Sequence, residues 1–236
     1  MIIGIDLGGM SAKGAVLKDG ELLGKTRVKT SADRSAEETA FELSRLAMEV
    51  AENAGIGFDK VQAIGIGSPG VIDSKTGTVV NWTNFNWKDV PLAKYIRERT
   101  GKQVFVTNDA NAAALGEAKY GAGKNYSDSV LITIGTGVGG GIILGGKLFE
   151  GFRSAGAEIG HMVIRQNGKL CSCGRRGCYE VYASARALIE ITRENMQAEL
   201  TSKMWEFAKT LDDVDGRTAF DALRAGDATA EKVIRE

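Results

Sequence analysis

Val130-Leu131-Ile132-Thr133-Ile134 runs into Gly135-Thr136-Gly137-Val138-Gly139-Gly140-Gly141 and then into Ile142-Ile143-Leu144. Gly135-x-Gly137-x-x-Gly140 has the spacing of a dinucleotide fingerprint, but such a fingerprint opens a helix whose N-terminus holds the pyrophosphate. An apolar strand follows here instead, so the Rossmann reading fails. What remains is a strand-loop-strand unit whose glycines permit close backbone approach and positive φ angles. Its exposed N–H groups form a nest for an anion, and Thr136 adds a hydroxyl. A tight hairpin without a ligand accounts for the same residues.

The start of the chain repeats this chemistry. Residues 2–5 and 13–18 read as strands joined by Asp6-Leu7-Gly8-Gly9-Met10-Ser11-Ala12, and a third strand covers 21–30. Residues 2–30 and 130–149 thus read as a weak internal duplication, with two unrelated hairpins as the alternative. Asp6 stands at a strand end directly before Gly8-Gly9, with Ser11 and Lys13 after it. A carboxylate there suits Mg²⁺, usually through water, while the loop amides face phosphates. Two such loops suit a nucleoside triphosphate.

Between them, Ser35-Ala36-Glu37-Glu38 forms a capping box, and Leu43, Leu46, Ala47, Val50 and Ala54 follow at helical spacing. Val61–Ile66 reads as a buried strand that ends in the turn Gly67-Ser68-Pro69-Gly70. Asp89-Val90-Pro91 reads as a helix start. Residues 103–106 read as a strand, and Asn108-Asp109-Ala110-Asn111 opens an alanine-rich helix. Asn108 or Asp109 caps that helix on this pattern. The order predicts an α/β fold with a mixed sheet. The Gly121-Ala122-Gly123 break suggests two lobes, 1–119 and 120–236. From Cys178 onward helices are expected near 180–195, 199–210, 217–225 and 228–236.

Lys plus Arg and Asp plus Glu are each 30, which speaks against a nucleic-acid-binding protein. The N-terminus reaches Asp6 too soon for a signal peptide, and no apolar run approaches the ~18 residues of a membrane span. The expectation is a cytoplasmic protein that binds neither nucleic acid nor membrane. Cys171, Cys173 and Cys178 are the only cysteines and His161 the only histidine. An odd, tightly spaced set in such a compartment suggests a closed tetrahedral Cys₃His zinc site rather than a disulfide framework, with incidental thiols as the alternative. Four protein ligands leave no position for water, which makes the zinc structural. Lys169, Gly174 and Gly177 suit a tight loop around it.

Taken together, Asp6-Leu7-Gly8-Gly9, Ser68-Pro69-Gly70, Asn108-Asp109-Ala110-Asn111-Ala112-Ala113 and Gly135–Gly141 resemble the ROK family of bacterial sugar kinases and sugar-responsive repressors, over residues 2 to about 190. The resemblance implies an actin/hexokinase-like (ribonuclease H-like) two-lobe α/β fold with mixed sheets and an inter-lobe cleft. It implies ATP-dependent phosphorylation of a hexose, with Asp109 as general base for the attacking hydroxyl. Asp6, Gly8, Gly9, Ser11, Lys13, Gly135, Thr136, Gly137 and Gly139 are then the nucleotide-binding set, and Mg²⁺ accompanies ATP. His161-x9-Cys171-x-Cys173-x4-Cys178 matches the family's zinc loop. Asn84, Asn108, Asp109, Glu158, His161 and Glu180 become the sugar ligands, although Ala157 replaces the first Gly of the motif around Glu158. Trp87 reads as core or cleft wall. Glucose is the first choice of sugar, ahead of fructose, N-acetylmannosamine, allose or a β-glucoside, and a homodimer is implied.

Two departures stand out. Met10 replaces the Thr usual in these kinases. Glu236 ends the chain several tens of residues before the family does, ahead of the segment that supplies an adenosine-side loop and a helix on the first lobe. The rival readings are a sugar-sensing regulator, whose N-terminal helix-turn-helix is not expected here, and a non-catalytic sugar-binding lobe.

Overall fold

The computed structural model describes residues 1–236, the side chain of Arg153 excepted. The chain divides into a first unit, Met1–Leu131 with Gly141–Ala157, and a second, Ile132–Gly140 with Glu158–Glu236.

The first unit opens with β1 (Ile2–Leu7), β2 (Ser11–Lys18) and β3 (Glu21–Lys29), followed by α1 (Ala36–Asn53). Next come β4 (Ala63–Ser68), β5 (Val71–Asp73), β6 (Thr78–Trp82), β7 (Trp87–Val90), α2 (Leu92–Thr100), β8 (Gln103–Asn108) and α3 (Asp109–Tyr120). The main sheet has the order β3-β2-β1-β4-β8. β1 pairs antiparallel with β2 and parallel with β4, and β4 runs parallel to β8. A smaller sheet has the order β5-β6-β7.

Alternation along β1 decides which face carries the core. Ile3, Ile5 and Leu7 are buried on one face, with Ile64, Ile66 and Val106 of the neighbouring strands. α1 lays Leu43, Leu46, Ala47 and Val50 on this face, burial of each leucine or valine being worth roughly 1.5–3 kcal/mol. Its capping box forms as read: Glu38 N–H donates to Ser35 Oγ at 3.2 Å, and Ser35 N–H to Glu38 Oε2 at 2.7 Å. On the opposite face the register aligns Gly4 with Gly65 and Asp6 with Gly67. Bulk is missing there, and α3 comes close: a Cβ on Gly67 would lie 3.1 Å from that of Ala112. Beside α3 this face forms a cavity of about 980 Å³, lined by Ile2, Phe105, Leu115 and Leu148 at its apolar part and by Asp6, Lys13 and Asp109.

β9 (Ser129–Ile134), β10 (Val138–Leu144) and β11 (Lys147–Leu148) form a third sheet of order β11-β10-β9. The stretch 138–141, expected as loop, is strand. Val138 and Gly140 are buried, and only Gly135–Gly137 remain as the turn.

The second unit continues through irregular backbone to α4 (Glu180–Ala183), α5 (Ala185–Ala198), α6 (Met204–Phe207), α7 (Thr218–Arg224) and α8 (Ala228–Arg235). Its core gathers Ile191, Met196, Met204, Val214, Ala219, Ala222 and Val233. Only Met204–Phe207 of the helix expected over 199–210 is α-helical. Asp227 accounts for the interruption: its Oδ2 accepts from Ser202 Oγ at 3.0 Å and from Lys203 N–H, while Oδ1 accepts from Ala230 N–H to cap α8. Asp89-Val90-Pro91, read as a helix start, lies just ahead of α2: Asp89 and Val90 belong to the strand Trp87–Val90 paired with β6, and Pro91 is the N-cap of the helix. No helix among the described residues is long and apolar enough to cross a membrane.

Candidate active site and metal cluster

β8 passes directly into α3, and the two residues at the junction divide the work of the motif. Asn108 is the N-cap: its Oδ1 accepts from Ala110 N–H at 2.9 Å and from Asn111 N–H at 3.2 Å. Its amide nitrogen donates to Gly70 O at 3.2 Å, which brings the Ser68-Pro69-Gly70 turn to the Asn-Asp-Ala-Asn motif. Asp109, relieved of the capping role, stands in the first turn. Its Oδ1 accepts from Ala110 N–H at 2.9 Å, and the residue is exposed at the cavity. Burial of the carboxyl against the cavity wall nevertheless pushes its pKa above the ordinary aspartate value. The Ala110 N–H works against this shift and the negative charge of Asp6 adds to it. A carboxylate with a raised pKa facing open space is equipped to take a proton.

Asp6 lines the same cavity, at the end of β1. Lys13 Nζ lies 3.3 Å from its Oδ2, an exposed pair that contributes little to stability. The loop after it is tight: Gly8 N–H donates to Ser11 O at 3.0 Å, and Thr30 Oγ1 donates to Gly8 O at 2.7 Å. Met10 projects from the tip, 86% exposed. Asn84 is exposed on the short 3-10 turn Thr83–Phe85. Phe85 stacks on Trp82 with ring centroids 3.9 Å apart, and Trp87 meets both edge-on inside the core. Thr107 lines the cavity as well, and its buried Oγ1 has no partner among the described residues. Sequence reasoning passed over it, because a strand threonine before Asn108 carries no signal until the strand is oriented.

In the second unit the turn Gly135–Gly137 is closed by Gly135 N–H donating to Gly137 O at 2.9 Å. Gly135 and Thr136 are exposed. Glu180 does not stand free: its Oε2 accepts from Val138 N–H at 2.9 Å. Glu158 is exposed at the start of the 3-10 turn Ile159–His161.

The metal-ligating set converges as its spacing implied. The ligand atoms of His161, Cys171, Cys173 and Cys178 all lie within 4.8 Å of one another. Cys171 Sγ is 3.6 Å from His161 Nδ1, and Cys173 Sγ is 3.6 Å from Cys178 Sγ. Ligands at about 2.0–2.3 Å around a tetrahedral ion stand about 3.5–3.8 Å apart, so these residues fit a metal. Gly174 and Gly177, with φ of 85° and 80°, make the turns that fold the cysteine loop. Taken as thiols, the sulfurs are unequal: the Arg175 N–H and guanidinium hold Cys173 down to about 6, whereas burial pushes Cys178 up to about 11. With Nδ1 turned to the sulfurs, His161 keeps Nε2 for another partner.

A mixed sheet of this order, with a glycine turn between β1 and β2 and a carboxylate directly after β8, belongs to the actin/hexokinase-like class of α/β proteins. The comparisons agree. The ROK family matches residues 2–236, and the chain belongs to the ROK family. The Thermotoga maritima glucokinase is 39% identical over 231 residues, 97% of this chain and 71% of that protein. Among solved structures, a ROK family glucokinase from Streptomyces griseus in complex with glucose and AMPPNP superposes with a TM-score of 0.80 at 36% identity, covering 99% of this chain and 74% of that one. A ROK family transcriptional regulator, a homologue of the E. coli MLC protein, gives 0.83 at 30% identity, with 99% and 58% covered.

Proposed function

We propose that this protein transfers the γ-phosphoryl group of ATP to a hydroxyl of glucose, with Asp109 as the general base. The observation that carries the assignment of the base is the division of labour at the β8–α3 junction. Asn108 caps the helix and leaves the carboxylate of Asp109 facing the cavity with a raised pKa. A sugar hydroxyl holds its proton far above neutral pH, so attack on phosphorus needs such a base within hydrogen-bond reach. Oδ1 is bound to Ala110 N–H, which leaves Oδ2 to receive the proton. Asn84, Asn108, Glu158, Glu180 and the Nε2 of His161 are the candidate sugar ligands, carboxylates being suited to adjacent hydroxyl pairs. Gly8, Gly9 and Ser11, and likewise Gly135, Thr136, Gly137 and Gly139, offer N–H and hydroxyl groups to the phosphates, with Lys13 as a nearby cation.

Asp6 would hold Mg²⁺ through water, and the ion neutralises charge on the phosphates when bound. The Cys₃His cluster would hold zinc with a full ligand set, which makes the ion structural. Cysteines without disulfides together with ATP suit the cytoplasm, and a homodimer is the expected assembly.

ADP release coupled to NADH oxidation, with Mg-ATP and a panel of hexoses, tests the reading. Glucose should turn over, and Asp109→Asn should lower kcat by roughly 10²–10⁴. The rate should fall as pH drops through the raised pKa of Asp109, because the protonated acid no longer accepts the sugar proton, and the variant should lack that acid limb. Turnover of fructose, N-acetylmannosamine, allose or a β-glucoside in place of glucose would reassign the substrate. Tight sugar binding with no ADP release would make the chain a sensor, the reading that the regulator neighbour favours.

A further inference from the structure

Val138 is held on both sides by neighbours of metal ligands. Its N–H donates to Glu180 Oε2 at 2.9 Å, and Glu180 stands two residues after Cys178. Its carbonyl oxygen abuts Gly160, the residue before His161, where no Cβ has room. The turn itself is built for the carboxylate: a Cβ on Gly137 would lie 2.5 Å from Glu180 Oε2. At the other end of the turn, Ala185 N–H donates to Gly135 O at 2.9 Å. Residues 180–185 therefore grip both ends of Gly135–Val138. Their anchor is the metal-binding loop: Tyr179 N–H donates to Met162 O at 2.8 Å, and Cys178 bridges to Val163.

We infer that Glu180 is a positioning residue that ties the His161/Cys171/Cys173/Cys178 loop to the Gly135–Val138 turn, so that metal occupancy sets the order of the turn and its affinity for nucleotide. This deepens the kinase reading and rests on it for the nucleotide alone. An ion that draws His161 and Cys178 to one centre fixes Gly160 and Glu180 together, and with them both polar groups of Val138. Glu180 then divides its carboxylate. Oε2 stays on the turn, and Oε1 is left for a sugar hydroxyl.

Hydrogen exchange followed by mass spectrometry or NMR on the full chain reads the tie without any assay of activity. Protection of the Val138 amide should fall about tenfold in Glu180→Ala, the cost of one charge-assisted bond. Zinc removal by chelation should lower it similarly, and re-addition of zinc should restore it. Glu180→Gln keeps an acceptor oxygen and should recover most of the protection. Gly137→Ala, which evicts the carboxylate without altering it, should reproduce the loss. AMPPNP affinity measured by calorimetry without sugar should weaken about tenfold in Glu180→Ala and Gly137→Ala. Unchanged Val138 exchange in Glu180→Ala would overturn the inference, as would weakened glucose binding with AMPPNP affinity intact. Failure of the unsubstituted chain to bind AMPPNP would instead count against the kinase reading, while the exchange data would still decide the tie. If chelation unfolds the second unit, the Glu180 and Gly137 variants carry the test with zinc present.

Discussion

The two glycine turns, Gly8–Ser11 and Gly135–Gly137, follow the first strand of similar antiparallel meanders, yet they are held in different ways. The first is self-contained. Its closing bond runs from Gly8 to Ser11, and its brace, Thr30, comes from the end of the same meander. Its carboxylate, Asp6, precedes the turn on the same strand and is exposed. The second turn is held from outside its meander, by Glu180 and Ala185, more than forty residues further along. The difference teaches that one sequence pattern serves two purposes. The first turn keeps its carboxylate exposed to solvent, with only Lys13 beside it, and the second is held by a remote carboxylate next to the metal-ligating loop.

The sharpest way to break this comparison is at the charges. Asp6→Asn removes the exposed carboxylate and should lower kcat/KM for Mg-ATP by on the order of 10², with a raised Mg²⁺ requirement, in steady-state assays across Mg²⁺ concentrations. Glu180→Ala at the second turn should act about ten times less strongly on nucleotide affinity, as derived above. An equal effect at both turns would erase the distinction. A brace comes next: Thr30→Val deletes the 2.7 Å bond to Gly8 O and should cost about 1 kcal/mol in urea unfolding, with a modest rise in KM for ATP. The smallest effect is expected at the tip, where Met10→Thr restores the hydroxyl usual in the family at a position 86% exposed. Stability should change by less than about 0.5 kcal/mol, and unchanged ATP affinity would support phosphate binding without a hydroxyl at position 10, whereas a gain would show that one reaches the phosphate.

Legibility followed the range of the interactions. The strand at 2–5, the capping box Ser35–Glu38 and the cap at Asn108 or Asp109 lie within a few residues of their causes. The capping box formed as read, Asn108 took the cap, and the strand ran on through Asp6 and Leu7, expected as loop. The helix start read at Asp89-Val90-Pro91 shifted to Leu92, because Asp89 and Val90 are drawn into a strand by pairing with β6. Residues 199–210 lost most of their helix to Asp227, whose carboxyl takes Ser202 and Lys203 from 25 and 24 positions away. Asp227 is buried, which by itself would raise its pKa, but the N–H and hydroxyl donors around it outweigh that and hold it below the ordinary value. In the candidate site, the spacing of His161 and the three cysteines was enough to foresee the cluster. The attachment of Glu180 to Val138 was not foreseeable, since no local pattern distinguishes a carboxylate bound to a backbone amide from one left for a sugar.

By itself, the sequence determined the mixed α/β order, the two glycine turns, the junction at Asn108-Asp109 and the four metal-ligating residues, because periodicity, capping and ligand chemistry act over short spans or through residue type alone. Only the tertiary structure decided that Asp109 and Asp6 line one cavity, that the face of Gly4, Gly65 and Gly67 stays open beside α3, and that Glu180 belongs to the second turn as much as to any ligand. Those facts depend on strand register and on the meeting of distant backbone groups, and hydrogen bonds and excluded volume act only once the chain has brought such groups within a few ångströms.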